Sequence, residues 1–239
     1  MIIITLLLLG SLVPNLSFTA SVKVRLVNGT EAKPHSRPYM VSVAKNGRHI
    51  CAGFLISDQF VLTAAHCRDE VRRPTANGSP KRVIPVRASG GSTPHPRFPS
   101  QWGQLNKKVK LNNQINTIPI PPTPVKIRVD TNCSVAGWGF VTNSGPQSPT
   151  LREANVKIIK NTDCAARWDW VYEASQMMCV YGHGGSCDGD SGGPLVCNNI
   201  AVGVTAFVSF KSCNDPNLPN VYTKISAFLP WIQSILKTK

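Results

Sequence analysis

The sequence predicts an all-β chain of a length that suits two packed β-barrels, and three observations support this. The chain has 239 residues, enough to bury a full core. Its 18 Gly and 19 Pro predict many turns, while its ordinary apolar content argues against disorder. Residues 39–45 alternate as a strand does, and 52–63 read as two short strands around Ser57-Asp58.

The first 25 residues predict a leader that the mature protein lacks. Ile2–Val13 is a mostly apolar run of 12 residues, too short to span a bilayer and typical of a signal-peptide core. We expect a signal peptide over 1–20 and a short basic pro-segment over 21–25. The folded domain then covers 26–239, where no run is long enough for a membrane span.

The cysteine count and the charge indicate the compartment and the partners. Eight Cys suit a secreted, disulfide-bearing protein, although the count alone does not give their pairing. The net charge of +14 attracts polyanions. No motif predicts nucleic-acid binding, so sulfated proteoglycan is the better candidate, and a solvated basic face without a partner is the alternative. No CxxC pair or His cluster indicates zinc, and we expect neither a metal nor a cofactor.

The segment CDGDSGGP at 187–194 contains a candidate nucleophile, Ser191. A Ser among glycines can lie on a tight turn with its hydroxyl exposed. The N–H groups of Gly189 and Ser191 can point at one spot and form an oxyanion hole, often worth about 10²–10³ in rate per donor. The alternative is a Gly-rich turn beside a disulfide.

The segment LTAAHC at 62–67 contains a candidate general base, His66. Alone, a His among small residues is more often structural, but His before Ser is a known triad order with an Asp expected between them. These residues resemble the trypsin/chymotrypsin-like serine proteases. Residues 26–40 are similar to the granule branch, which includes granzymes, mast-cell proteases and neutrophil elastase relatives. AGWG at 136–139 and VYTKI at 221–225 also match.

The resemblance implies a fold and a disulfide pattern. The fold is two packed six-stranded antiparallel β-barrels with a C-terminal helix, over a protease domain at 26–239. Because the resemblance is poor over 68–116, we expect an incomplete first barrel. We expect the terminal helix, over 228–236, to pack on the second barrel. The implied disulfides are Cys51–Cys67, Cys133–Cys197, Cys164–Cys179 and Cys187–Cys213.

Arg25-Leu26 resembles an activation site. Cleavage there gives Leu26 a new α-ammonium, which in the family inserts and pairs with the Asp before the catalytic Ser, here Asp190. A buried carboxylate needs such a partner, and the pairing fixes the turn that carries Gly189. The alternative is an ordinary strand that starts at Leu26.

The resemblance fails where the family places its third triad residue. Gln101-Trp102-Gly103-Gln104 stands in place of the expected acidic segment. We assign the orienting role to none of the acids between Cys67 and Cys133, because two follow a disulfide cysteine and the third reads as a turn acid. These acids are Asp69, Glu70 and Asp130.

Three residues define the expected specificity pocket by resemblance. Gly185 lies at its base, where trypsin-like members carry Asp, so cleavage after Lys or Arg is disfavoured. Val208 narrows the mouth and Asn220 lies on the opposite wall. We expect a small or medium uncharged substrate residue, with discrimination of about 1–3 kcal/mol per methylene.

Three interpretations are open from the sequence. The first is a secreted or granule serine endopeptidase, a monomer that acts on proteins or peptides and binds neither nucleic acid nor membrane. The second is a catalytically weak or inactive homologue that acts as a basic, polyanion-binding defence protein, because changing the triad Asp costs about 10⁴ in kcat. The third is a splice form or gene prediction that lacks the acidic segment of an active enzyme.

Overall fold

The structure, a computed structural model, describes residues 29–67, 100–105, 107–142, 145–213 and 215–237. These residues form two sheets, two α-helices and two 3₁₀ helices. The strands are β1 Thr30–Glu31, β2 Met40–Lys45, β3 Arg48–Leu55, β4 Phe60–Ala64, β5 Ser100–Gln104, β6 Asn132–Gly137, β7 Arg152–Ile158, β8 Met177–Tyr181, β9 Pro194–Cys197, β10 Ile200–Phe207 and β11 Asn220–Lys224. The helices are α1 Asn161–Trp168 and α2 Leu229–Lys237, with 3₁₀ helices at Asp169–Val171 and Ile225–Phe228.

The second half of the chain forms a closed barrel of six antiparallel strands. The strand order is β7-β6-β9-β10-β11-β8, and the pairing of β7 with β8 closes it. β1 joins the outer edge of β7. Alternate apolar residues fill the interior, including Val135, Val156, Leu195 and Tyr222. The predicted six-stranded barrel is confirmed here.

The first half forms a four-stranded sheet in the order β2-β3-β4-β5 within the described residues. The expectation of an incomplete first barrel concerns 68–116, of which 68–99 lie outside the described residues, so it stays a prediction. Residues 101–104, which replace the expected acidic segment, lie in β5 and pair with β4, so that Phe60 is opposite Gln104 and Ala64 is opposite Ser100. β4, the strand that leads to His66, is therefore hydrogen-bonded to β5.

A shared core joins the two sheets. Phe54 and Leu62 of the first sheet pack in one cluster with Val204 of the second and with Ile232 of α2. The expectation that α2 packs on the second barrel was therefore too narrow, because this helix also covers the first sheet. Among the described residues, no helix is long and apolar enough to cross a membrane.

The four predicted disulfides are confirmed, and each ties together neighbouring elements. Cys133 and Cys197 lie opposite each other on β6 and β9. Cys164 links α1 to β8, and Cys187 links the segment before Ser191 to the loop after β10. The pairs are Cys51–Cys67, Cys133–Cys197, Cys164–Cys179 and Cys187–Cys213.

The shared core predicts unequal effects for two phenylalanine truncations. Phe54 is 0% exposed and Phe210 is 104% exposed. Phe54→Ala should lower the free energy of unfolding by about 3–5 kcal/mol, because it removes a buried ring and leaves a cavity. Phe210→Ala, the control, should change it by no more than about 0.5 kcal/mol. Urea unfolding followed by circular dichroism measures both, and equal losses would contradict this packing.

Candidate active site

The turn at 187–193 is built around the buried carboxylate of Asp190. One carboxylate oxygen accepts a hydrogen bond from the Gly139 N–H at 2.7 Å, and the other from the Cys187 N–H at 2.9 Å. The Asp190 N–H donates to the Cys187 carbonyl, and the Gly193 N–H donates to the Asp190 carbonyl. The turn is thus closed by its own backbone and by one side chain.

Two glycines of this turn adopt backbone conformations that other residues rarely adopt. Gly189 has φ +92° and Gly192 has φ +83°. A Cβ on Gly192 would also collide with Thr63 Oγ1 and the Ala52 carbonyl. The glycines therefore let the turn approach the first sheet closely.

Ser191 lies where the two sheets meet. Its carbonyl accepts a hydrogen bond from the Ala52 N–H of β3 at 2.9 Å. The next residue, Gly192, donates its N–H to the Thr205 carbonyl of β10, also at 2.9 Å. Consecutive residues are thus held by different sheets, so the position of Ser191 depends on how the sheets pack together.

His66 follows β4 and has an exposed side chain. A ring nitrogen of His66 and the sulfurs of Cys51 and Cys67 lie within 4.8 Å of one another. The Cys67 sulfur is 3.8 Å from the Ser191 carbonyl oxygen. The disulfide is thus a common neighbour of His66 and Ser191. Because its sulfurs are not thiolates, this cluster is not a metal site.

The strand beside β4 supplies no carboxylate. β5 reads Ser-Gln-Trp-Gly-Gln, and its described end at Ser100 pairs with Ala64, two residues before His66. Asp69 and Glu70 lie outside the described residues. Asp130 lies in a turn before β6 and has φ 63°, as expected for an acid in a turn.

A cavity of about 220 Å³ lies beside Ser191. Val208 lines it together with Ala206 and Phe207 of the segment expected to form the pocket wall, and with Asp188 and Phe210, which the sequence did not indicate as lining residues. The only sequence signal for Asp188 and Phe210 was their position close to Gly189 and Val208.

Gly185 and Asn220 contact each other but are not among the described residues that line this cavity. The Asn220 amide donates to the Ser186 carbonyl at 2.8 Å. A Cβ on Gly185 would lie only 2.9 Å from Asn220 Oδ1. Glycine at 185 therefore makes room for the Asn220 side chain.

His49 is a further residue of this site that sequence reasoning missed. It is buried, with Nε2 2.9 Å from the Gly189 carbonyl and Nδ1 2.7 Å from Ser42 Oγ. Because a carbonyl only accepts, Nε2 carries a proton and donates it to Gly189. Its edge packs on Trp138. His49 thus fixes the carbonyl of Gly189, and its only sequence signal is proximity to Cys51.

Residues 26–232 match the family described as Trypsin, and the chain belongs to this family. Duodenase-1 of Bos taurus is 34% identical over 232 residues, covering 89% of this chain and 90% of that protein. Granzyme F of Mus musculus is 35% identical over 234 residues, covering 89% and 91%. Mast cell protease 3 of Ovis aries is 34% identical over 233 residues, covering 89% and 90%. The similarity to granule-branch proteases is confirmed.

A solved structure shows the same fold. Neuropsin, a serine protease expressed in the limbic system of mouse brain, superposes with a TM-score of 0.72 at 26% identity. The match covers 88% of this chain and 99% of neuropsin. The trypsin-like fold is therefore shown both by sequence and by structure.

Burial raises the pKa of Asp190 to about 7, although the N–H groups of Cys187 and Gly139 stabilise the anion and oppose the shift. The negative charge of Asp188 raises it further. The folded chain thus holds a proton on Asp190 at pH values where the unfolded chain has lost it. Without a cation beside it, the Asp190 anion is costly to bury.

This shift predicts that uncleaved chain loses stability as pH rises. From about pH 4 to 7 the folded state binds more protons than the unfolded state, so the free energy of unfolding falls with pH across this window. In Asp190→Asn this dependence should be absent, whereas Asp130→Asn, an exposed acid, should behave as wild type. Melting temperatures across the window test this. Parallel curves for wild type and Asp190→Asn would count against it.

Proposed function

We propose that this trypsin-family protein is a serine endopeptidase in which Ser191 is the nucleophile and His66 the general base. The observation that carries the proposal is the turn at 187–193, which holds Ser191 between two sheets and beside a cavity of about 220 Å³. The carboxylate of Asp190 closes this turn by accepting the N–H groups of Gly139 and Cys187, but as an anion it is costly to bury without a cation. A functional turn explains its presence.

The proposed reaction is acyl transfer through a covalent intermediate. Ser191 Oγ attacks the scissile carbonyl while His66 takes its proton, and the N–H groups of Gly189 and Ser191 stabilise the oxyanion. His66 then gives the proton to the leaving amine as the C–N bond breaks. Water, deprotonated by His66, hydrolyses the acyl-enzyme and restores Ser191.

We propose that this chemistry runs slowly. No carboxylate lies on the described strand beside β4, so the usual means of fixing the His66 tautomer is not provided there. In a well-characterised enzyme with this triad, changing the Asp costs about 10⁴ in kcat. The oxyanion donors act independently of that Asp and retain part of the rate enhancement.

Activation is proposed to follow cleavage after Arg25. The family match begins at residue 26, which supports a leader over 1–20, a pro-segment over 21–25 and a protease domain over 26–239. The new α-ammonium of Leu26 would pair with Asp190 and supply the cation that this carboxylate needs. The pairing would then hold Gly189 and Ser191 in register.

The proposed preference is for a small or medium uncharged residue before the scissile bond. Val208 lines the modest cavity beside Ser191, and Gly185 offers no charge for a cationic side chain. Asn220, whose amide donates to the Ser186 carbonyl, lies against Gly185 outside the described lining of this cavity. We propose selectivity of about 1–3 kcal/mol per methylene between substrates.

The proposed setting is secretion or a secretory granule, as a monomer that acts on proteins or peptides. Similar proteins include a mast cell protease and a granzyme, which supports this setting. The net charge of +14 supports sulfated proteoglycan as a partner.

A second candidate function is a weak or inactive homologue that binds polyanions. The acid-free strand β5, together with the basic charge, favours it. Such a homologue would have the same fold and the same positive charge but would not hydrolyse peptides. Sequencing the transcript across codons 98–106 addresses the separate alternative of a missing segment.

Covalent labelling separates the two functions. After cleavage behind Arg25, a fluorophosphonate should modify Ser191, because the reagent needs only an activated hydroxyl and an oxyanion hole. Mass spectrometry should place the adduct on Ser191, and Ser191→Ala should not react. Cleaved, folded chain that binds heparin but takes up no label would favour the second function.

Restoring an acid beside β4 should raise activity. Ser100 pairs with Ala64, whose side chain packs with the Cys51–Cys67 disulfide next to His66. Ser100→Asp should increase kcat on a peptide ester by at least about tenfold, a part of the roughly 10⁴ attributed to this group. Ser100→Asn, the matched control, should not. An equal effect of both substitutions would refute an electrostatic role at this position.

A further inference from the structure

A groove of about 750 Å³ lies outside the cavity beside Ser191, and the described linings of the two share no residue. Its walls come from the segment 124–129, the end of β7, the start of α1 and the 3₁₀ helix before α2. It is too large for a single ion and open enough for a polymer segment. The function proposed above leaves this groove unused.

Lysines mark this groove as cationic. Lys126 and Lys160 are exposed at its edge, and Lys224 is half-buried within it. Among the described lining residues there is no carboxylate. Burial lowers the pKa of Lys224, and the negative charge of Glu173 opposes this shift only in part. Lys126 and Lys160 therefore supply most of the accessible positive charge.

Apolar side chains lie between these lysines. Val125 is 44% exposed and Val129 is 43% exposed, and Ile127, Ile158 and Met178 continue the apolar lining. An exposed apolar patch with a charged rim is the composition of a protein-interaction site. Without a bound partner, this apolar area stays exposed to water.

We propose that the groove docks an acidic peptide segment that also carries apolar side chains. Its carboxylates would pair with Lys126 and Lys160, while its apolar side chains would cover Val125 and Val129. A sulfated glycan matches the lysines but has no aliphatic side chains to bury against the valines. The combination of both features therefore favours a peptide over a glycan.

The helix α1 connects this docking groove to the cleft. Its first residues line the groove, and at its other end the Trp168 ring packs edge-on against Phe207, which lines the cavity beside Ser191. Trp168 also donates to the Pro219 carbonyl at 2.9 Å. The helix has 8 residues and is about 12 Å long, the reach of roughly four extended residues.

The test is fluorescence anisotropy with the full chain and a short fluorescein-labelled peptide of alternating Glu and Leu. The double variant Lys126→Glu with Lys160→Glu should weaken binding by about tenfold or more. The matched control, Lys107→Glu with Lys110→Glu, makes the same change in net charge at exposed sites outside the groove and should weaken it by less than about threefold. Equal weakening by both pairs, or no binding to the wild type, would overturn the proposal.

Substituting the apolar residues separates a peptide from a glycan. Val125→Ser with Val129→Ser should weaken the Glu–Leu peptide by about fivefold and leave a heparin fragment unaffected. A peptide with Ser in place of Leu should not respond to this variant. Unchanged binding of the Glu–Leu peptide would overturn the proposal and favour the glycan. These assays do not depend on Ser191, so they also stand if the peptidase proposal fails.

Discussion

The buried carboxylate of Asp190 holds together the turn on which the candidate site depends. Both of its oxygens are occupied by backbone N–H groups, one from the turn itself and one from Gly139. Gly137 and Gly139 leave no room for a Cβ beside this carboxylate. Glycines at these two positions thus make room for the carboxyl group, and burial raises the pKa of Asp190 to about 7. An apolar residue at this position would leave the buried N–H groups of Cys187 and Gly139 without this acceptor.

The same turn couples the site to the packing of the whole molecule. Ala52 of the first sheet and Thr205 of the second hold adjacent residues, Ser191 and Gly192. His49, from the first sheet, contacts the Gly189 carbonyl. A small shift between the sheets would therefore move Ser191, the proposed nucleophile, relative to its neighbours, and the shared core that includes Phe54 restrains that shift.

Local pattern predicted much of this fold. Alternation located β2 and the pair β3 and β4. The disulfide pairing followed from the family resemblance, because the cysteine count alone did not give it. β5 was missed because Gln101-Trp102-Gly103-Gln104 has no alternating apolar pattern, and its pairing with β4 is a long-range register. For the same reason the bond from His49 to Gly189 and the contact of Asn220 with Gly185 could not be read from spacing.

Two features of the candidate site, the turn at 187–193 and the orientation of His66, depend on different residues. The proposed oxyanion donors, Gly189 and Ser191, lie in the turn that Asp190 closes, whereas the orientation proposed for His66 needs an acid that β5 does not supply. The proposed catalysis requires Ser191 to meet His66 without that acid. A crystal structure of the chain cleaved after Arg25 measures this directly. We predict a distance of about 2.6–3.2 Å between His66 Nε2 and Ser191 Oγ. Separation of these groups with no cleft between the sheets would contradict the account.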